Sequence, residues 1–326
     1  MPTYWMITDR NVEANRLGQN QAAPTYWVSD GDASLDLLTS WTNVSADQFK
    51  TLLLAAAAQF PLITDPERHE DQKHVTLYVH GYNNSWEDAV LRYQQISQSL
   101  FEGAAGLGLC VLFTWPSRGQ PLAYWPDRAA AEACAPDLFN VLTTMYDWLA
   151  AQQTAALMDP AAPPCRAKTS MIAHSMGNYV MQKAMRRTWT RHNQPLLMSL
   201  LNQLVMVAAD VDNDLFKSGE RIEQSDGDAI ANLTYRVTAL YTGRDPVLGA
   251  SAGLKHFGKR RLGRSGLDPT VPVPDNVWEV DCSDYFPPLT LNIHSGYFDQ
   301  PEIQEILRRV LRGVDRTLVL DDIGSP

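Results

Sequence analysis

Ser175, Asp245 and His294 are three residues whose types could together carry out nucleophilic catalysis. Ser175 lies in the string Ala173-His174-Ser175-Met176-Gly177, between an apolar run and a helical run. Small residues two positions before and after a serine let a strand and a helix cross closely, and the turn between them exposes the hydroxyl. The segment therefore predicts a nucleophile elbow with Ser175 at its tip.

A second serine fits the same pattern. The string Gly249-Ala250-Ser251-Ala252-Gly253 matches Gly-x-Ser-x-Gly more strictly than the Ser175 segment does. Asp245-Pro246 interrupts the run before it, however, and a basic segment follows it in place of an amphipathic helix. We interpret Ser251 as a loop serine and assign the nucleophile to Ser175.

A serine hydroxyl needs an imidazole to take its proton, and the imidazole needs a carboxylate to fix its tautomer. His294 follows the last apolar run, and Asp245 lies in a tight turn after the run before that one. The chain order Ser, Asp, His is the order of α/β-hydrolases. Asp210 follows an earlier apolar run and is the alternative acid; otherwise Asp210 and Asp212 would cap the following helix.

The loop His80–Asn84 follows another apolar run and carries a glycine that allows a sharp turn. There the N–H of Tyr82 could converge with the N–H of Met176 to form an oxyanion hole, although an ordinary glycine turn would have the same sequence. The candidate substrate-pocket residues are His80, Gly81, Asn83, His174, Trp115, Ser117 and Tyr124. For the two histidines the alternative is structural support of the loops, and for the aromatic residues it is cover for a neighbouring helix.

Short apolar runs alternate with helical runs through most of the chain, which indicates an α/β fold with a mostly parallel central sheet and helices on both faces. The predicted strands are 4–8, 25–29, 75–79, 109–115, the run before Ser175, 204–208, 237–241 and 277–280. The predicted helices are one from the Ser45/Gln48 capping box to about Phe60, 86–100, 128–151, the run after Ser175, and 300–312.

Composition limits the classes of partner and compartment. The 326 residues include 27 Lys and Arg against 37 Asp and Glu, a formal charge of −10, which disfavours nucleic acid or an anionic membrane as principal partner. The sequence shows no signal peptide and no run of transmembrane length, so we expect no stable membrane insertion. Cysteines at 110, 134, 165 and 282 lack C-x-x-C spacing, which favours reduced thiols and a cytoplasmic protein. Five basic residues, Lys255, Lys259, Arg260, Arg261 and Arg264, either meet an anionic substrate or are solvated and paired.

We expect one domain over 1–326, with N-terminal strands and a helix in 1–70, a catalytic core in 71–312 and a tail in 313–326. The Pro/Ala stretch 158–164 is interpreted as a connection inside that domain. The oligomeric state and the role of residues 1–70 are open.

Over roughly residues 72–312 the sequence resembles the α/β-hydrolase superfamily, and more narrowly a bacterial group of predicted serine hydrolases of unknown function. The segments that carry the resemblance are His80–Asn83, Phe113–Ser117, Asp127-Arg128, Ala173–Asn178, the Asp210 and Asp245 segments, Arg261–Gly263 and His294-Ser295. The resemblance implies an esterase-like or lipase-like enzyme with no cofactor and no metal.

The sequence therefore predicts a serine hydrolase that cleaves a small-molecule carboxylic ester through an acyl-enzyme. An acyltransferase or a thioesterase would use the same residues. A catalytically inactive hydrolase fold that serves as a binding module is the alternative from another class.

Overall fold

The computed structural model describes residues 1–159, 167–192, 199–217 and 226–324. They fall into two compact units, 1–170 and 171–326. The single-domain organisation, with its boundaries near 70 and 312, stays a prediction. Cys165 and the Pro/Ala stretch beyond Asp159 lie outside the described residues, whereas Cys110, Cys134 and Cys282 are buried free thiols.

The first unit contains five strands and three α-helices among its described residues. The strands are β1 (Tyr4–Glu13), β2 (Arg16–Ser29), β3 (Thr42–Val44), β4 (His74–Val79) and β5 (Gly108–Thr114), in the order β3-β2-β1-β5-β4. The helices are α1 (Ala46–Ala57), α2 (Trp86–Ile96) and α3 (Tyr124–Met158). The β1–β2 and β2–β3 pairs are antiparallel, whereas β1–β5 and β4–β5 are parallel.

Local sequence signals account for much of this unit. Ser45 and Gln48 form the predicted capping box at the start of α1, and Phe49 and Leu53 bury the inner face of that helix. Strands β1 and β2 extend well beyond the predicted runs 4–8 and 25–29, through polar residues that the prediction left out. Helix α3 is also longer than predicted and passes through Pro136.

The second unit carries the order β6-β7-β8-β9. Its strands are β6 (Lys168–His174), which begins in the last residues of the first unit, β7 (Leu201–Val207), β8 (Thr234–Tyr241) and β9 (Val277–Asp281). Its described α-helices are α4 (Gly177–His192), α5 (Asp226–Leu233), α6 (Pro246–Ala250), α7 (Leu262–Ser265), α8 (Ile293–Gly296) and α9 (Pro301–Arg312). The β7–β8 and β8–β9 pairs are parallel.

Parallel pairing brings the carboxyl ends of neighbouring strands to one edge. Ser175 follows β6, Asp210 follows β7 and Asp245 follows β8, so the candidate polar residues of the second unit collect at that edge. The predicted α/β class with mostly parallel strands is confirmed. None of the helices in the described ranges combines the length and hydropathy that crossing a membrane requires.

Candidate active site

The turn between β6 and α4 holds Ser175 in an unusual backbone conformation. Its φ is +52°, in the left-handed region that non-glycine residues seldom adopt. Hydrogen bonds fix the turn from both sides: the Ser175 N–H donates to the Val207 carbonyl at 3.0 Å, and the Asn178 amide donates to the carbonyls of Ala173 and Ser175 at 2.8 and 3.2 Å. Strain of this kind persists only where the surroundings enforce it.

The His294 imidazole lies between the serine and the aspartate. Its Nε2 is 2.8 Å from Ser175 Oγ, and its Nδ1 is 2.7 Å from Asp245 Oδ2. Because an ionised carboxylate can only accept, the Nδ1 atom carries the proton and Nε2 accepts from the serine hydroxyl. The three side chains, all predicted from the sequence, therefore form one continuous chain of hydrogen bonds.

Asp245 is positioned by a helix start that the sequence analysis took for a turn. It is the N-cap of α6: its Oδ1 accepts from the Leu248 N–H at 3.0 Å, and Pro246 occupies the first turn. The Arg264 guanidinium donates to the Asp245 carbonyl. Asp245 Oδ1 is thus bonded to the N-terminus of α6, and Oδ2 is bonded to His294. The whole side chain is buried.

His294 lies in the short helix α8 and not in a loop as predicted. The His174 ring donates from Nε2 to the His294 carbonyl at 2.9 Å, and the two ring centroids are 5.1 Å apart. Arg244 binds the loop that leads into α8 by donating to the carbonyls of Ser283, Phe286, Pro287 and Pro288. His174 and Arg244 together hold the backbone around His294. The sequence analysis offered structural support of a loop as a role for His174 and gave Arg244 no such role.

The alternative acid, Asp210, binds a cation. Its Oδ1 accepts from Arg261 Nε at 2.9 Å and from the Ser251 hydroxyl at 2.8 Å. Arg261 is fully buried and also binds Asp212, so both aspartates are ion-paired with one cation, and their alternative role as helix caps stays a prediction. Ser251 is buried in a helical turn that continues α6, which corrects its interpretation as a loop serine.

Gly263 explains part of the Arg261–Gly263 motif. A Cβ atom at this position would lie 2.2 Å from the backbone carbonyl carbon of Ala208 and from the N atom of Ala209. The glycine lets α7 approach the end of β7, where the Gly263 N–H donates to the Ala209 carbonyl at 2.9 Å. This close approach is what brings Arg261 to Asp210.

In the first unit, His80 supports the loop that follows β4. Its Nε2 accepts from the Trp115 N–H at 3.2 Å, its Nδ1 contacts the Gly81 carbonyl at 2.9 Å, and the Trp115 indole donates to the His80 carbonyl at 2.9 Å. The two rings stack with centroids 5.3 Å apart. Both side chains are buried, and Asn83 in the same loop has a left-handed φ of +59°.

Ser117, Asp127 and Tyr124 are held together close to this loop. The buried Ser117 hydroxyl donates to Asp127 at 2.8 Å and accepts from the Asn84 N–H at 3.2 Å. Tyr82 and Tyr124 pack edge to face at 5.4 Å. The assignment of these residues to a substrate pocket stays a prediction, as does the pairing of the Tyr82 and Met176 N–H groups in an oxyanion hole.

Arg10 is a residue that the sequence analysis missed. Its buried guanidinium donates to Thr114 Oγ1 at 3.0 Å, to the Gly18 carbonyl at 3.2 Å and to the Asn84 carbonyl at 3.3 Å, beside a cavity of about 300 Å³. Burial lowers the pKa of Arg10 to about 10, which the neighbouring Asp9 opposes in part. One role of residues 1–70 is therefore to brace the loop after β4.

Comparison with known proteins places the chain in a family. No curated protein matches it. Among solved structures it is similar to a hyperthermophilic esterase from the archaeon Pyrobaculum calidifontis, at 12% identity and a TM-score of 0.35 over 84% of this chain and 92% of that one. It is also similar to Aspergillus fumigatus lipase B, at 10% identity and a TM-score of 0.38 over 100% and 70%. The model of the family described as "Alpha/beta hydrolase of unknown function (DUF900)" matches residues 56–273. Since this match covers about two thirds of the sequence, the chain belongs to that family of α/β hydrolases.

Proposed function

We propose that this hydrolase is a serine enzyme that cleaves a carboxylic ester through an acyl-enzyme. The observation that carries the proposal is the hydrogen-bond chain from Asp245 through His294 to Ser175, with both His294 contacts below 3 Å. Its residue types and the order of its hydrogen bonds match those required to activate a serine hydroxyl. The strained backbone at Ser175 supports the same role, because such strain gathers at functional sites.

In the proposed reaction, Ser175 Oγ attacks the ester carbonyl carbon while His294 Nε2 takes the hydroxyl proton. The buried Asp245 carboxylate stabilises the imidazolium that forms. His294 then gives the proton to the leaving alcohol oxygen as its bond to the acyl carbon breaks. A water molecule then attacks the acyl carbon while the same Nε2 takes its proton. That proton passes to Ser175 Oγ as its bond to the acyl carbon breaks, which releases the acid and restores the serine hydroxyl.

The tetrahedral intermediates carry a negative oxygen that needs hydrogen-bond donors. The Met176 N–H is the donor that follows the nucleophile, at the entrance to α4, and the Tyr82 N–H is the second donor that we propose. The assembled Ser-His-Asp chain argues against an inactive binding module, because a fold that had lost catalysis would have no need to keep it.

Covalent labelling and turnover test the proposal together. We expect a fluorophosphonate to label Ser175, and we expect Ser175→Ala to lower turnover of a soluble p-nitrophenyl ester by about 10⁴ or more. Ser251→Ala is the matched control, because Ser251 is also a buried serine bonded to an aspartate. It should change turnover by less than about tenfold. Labelling that survives Ser175→Ala would refute the assignment.

A further inference from the structure

Two side chains hold the carbonyl of the peptide that joins Gly81 to Tyr82. His80 Nδ1 lies 2.9 Å from the Gly81 oxygen, and the Asn84 amide donates from Nδ2 to the same oxygen at 3.0 Å. A carbonyl oxygen has two lone pairs, so these two contacts use its full capacity as an acceptor. The Gly81 carbonyl is therefore fixed in the direction that satisfies both partners.

The tautomer of His80 follows from its other contacts. Its Nε2 accepts from the Trp115 N–H at 3.2 Å and lies 3.1 Å from Thr114 Oγ1. A ring nitrogen that accepts a backbone N–H carries no proton, so the imidazole proton is on Nδ1 and is donated to the Gly81 carbonyl. The Arg10 guanidinium donates to Thr114 Oγ1 at 3.0 Å. A chain of hydrogen bonds thus leads from a buried cation to the Gly81 oxygen.

Asn84 also fixes the carbonyl of the next peptide. Its Nδ2 donates to the Tyr82 carbonyl at 2.9 Å, so its two amide hydrogens serve two successive peptides of the loop. The Asn84 backbone is held in turn, because its N–H donates to Ser117 Oγ at 3.2 Å and its carbonyl accepts from Arg10 Nη2 at 3.3 Å. The amide of Asn84 is therefore a fixed pair of donors for the loop.

Peptide geometry gives the direction of the Tyr82 N–H. No peptide bond between described residues is cis, so the Gly81 C=O and the Tyr82 N–H point in opposite directions. A carbonyl fixed towards the His80 and Asn84 side chains turns the Tyr82 N–H away from both. Hydrogen bonds accepted by a carbonyl also polarise its amide, which makes the N–H a stronger donor. The loop thus aims and strengthens one backbone N–H in advance.

We propose that Asn84 is a positioning residue for catalysis, which with His80 sets the Gly81–Tyr82 peptide so that the Tyr82 N–H is a preformed donor to the oxyanion. The inference rests on the proposed function, in which this N–H is the second oxyanion donor. A preformed donor stabilises the developing charge without reorganisation, and the loss of one donor costs about 10²–10³ in kcat. Without the Asn84 amide the Gly81 carbonyl keeps a single partner, and the peptide is free to turn the N–H away from the oxyanion.

The first test is kinetic. Asn84→Asp keeps the shape of the side chain but replaces its donors by carboxylate oxygens, which repel the two carbonyls. We expect kcat on a soluble p-nitrophenyl ester to fall about 10²-fold, with KM within about threefold of the parent, because the donor acts on the transition state. Asn84→Ala, which removes the donors without adding a charge, should act in the same direction.

Asn276→Asp is the matched control, because the Asn276 amide also donates to backbone carbonyls, among them those of Ala231 and Thr234 at 2.9 and 2.8 Å. It should leave kcat within about threefold of the parent. All rates are compared at a temperature where unfolding curves show each variant to be folded. The control therefore separates loss of the oxyanion donor from a general loss of stability.

The second test observes the peptide itself. Gly81-Tyr82 and Gly296-Tyr297 are the two Gly-Tyr pairs in the sequence, so an HNCO spectrum of protein with carbonyl-¹³C glycine and ¹⁵N tyrosine contains two signals, which Tyr297→Phe assigns. We expect the Gly81 carbonyl signal to move upfield in Asn84→Ala and the Gly296 signal to stay in place. A fluorophosphonate bound to Ser175 puts a phosphoryl oxygen where the oxyanion forms. It should move the Tyr82 amide proton downfield in the parent but not in Asn84→Ala.

Turnover of both Asn84 variants within about threefold of the parent would overturn the proposal. A Tyr82 amide proton that stays in place when Ser175 of the parent is labelled would also overturn it, as would an equal fall in kcat in Asn276→Asp. A parent protein that neither turns over esters nor reacts with the fluorophosphonate would refute the proposed function, and the catalytic role of Asn84 with it. The two failures are distinct, because in the former cases the parent is active.

Discussion

Replacing Asp245 by Asn should disable the His294 base through its tautomer. In the parent protein Asp245 Oδ1 accepts from the Leu248 N–H and Oδ2 accepts from His294 Nδ1. An asparagine has one oxygen, and the helix N-terminus requires it, so the amide NH₂ faces His294. The imidazole then accepts at Nδ1 and carries its proton on Nε2, where it can no longer receive the proton of Ser175.

We expect a large loss of turnover, because asparagine keeps the shape of the aspartate side chain but enforces the wrong tautomer of His294. We expect turnover of a soluble ester to fall by up to about 10⁴. Asp210→Asn is the comparison, since Asp210 also follows a strand but binds Arg261 and Ser251. The Asp210→Asn variant keeps a hydrogen-bond acceptor but loses the negative charge next to the buried Arg261 guanidinium. We therefore expect the free energy of unfolding to fall by about 1–3 kcal/mol, and turnover to stay within about tenfold of the parent.

The assay compares initial rates on a p-nitrophenyl ester for both variants, at a temperature where their unfolding curves show each to be folded. Fluorophosphonate labelling rates provide an independent readout, because they report Ser175 activation without product release. If Asp210→Asn is the crippled variant and Asp245→Asn stays within about tenfold of the parent, the reasoning about the acid is wrong.

Three further changes test the supports around the site. His174→Ala should lower kcat about 10- to 100-fold with little change in KM, because the His294 carbonyl loses its hydrogen-bond donor. His174→Gln should restore part of that kcat. Equal kcat in the parent and both variants would contradict this role. Gly263→Ala should destabilise the fold by about 1–3 kcal/mol or more in thermal unfolding, whereas Gly253→Ala, where nothing lies within 4 Å of the added carbon, should be nearly neutral. Burial raises the pKa of Asp9 from 3.8 to about 7, so the folded state holds this proton longer and stability should fall as pH rises between those values. Asp9→Asn should remove that decline and stabilise the protein at pH 8 by roughly 2 kcal/mol or more, and unchanged melting curves from about pH 4 to about pH 8 would exclude the effect.

Where the candidate site residues are close to strong local signals, the sequence alone pointed to them. The elbow needs small residues at fixed offsets around Ser175, and that pattern is visible in five positions. The Ser45/Gln48 capping box is equally local, and it marked the start of α1. The α/β class followed from apolar runs between helices, because parallel strands are buried on both faces.

Some signals were present but were given the wrong interpretation. Asp245-Pro246 is an N-cap followed by proline in the first turn, which predicts a helix start as well as a turn. That interpretation would have identified α6 and shown why one carboxylate oxygen is committed to the backbone. It would also have placed Ser251 in a helical segment, since the turn that contains it continues α6.

The choice between the two acids depended on a contact that no local pattern contains. Asp210 and Asp245 follow the adjacent parallel strands β7 and β8, so strand order brings both carboxylates to the same edge. Arg261, 51 residues after Asp210, separates their roles by binding that carboxylate as a buried cation. It reaches Asp210 only because Gly263 lets α7 lie against the end of β7. Asp210 is held in an ion pair with Arg261. Asp245 has one oxygen on the N-terminus of α6 and the other on His294, so it is the carboxylate that orients the imidazole.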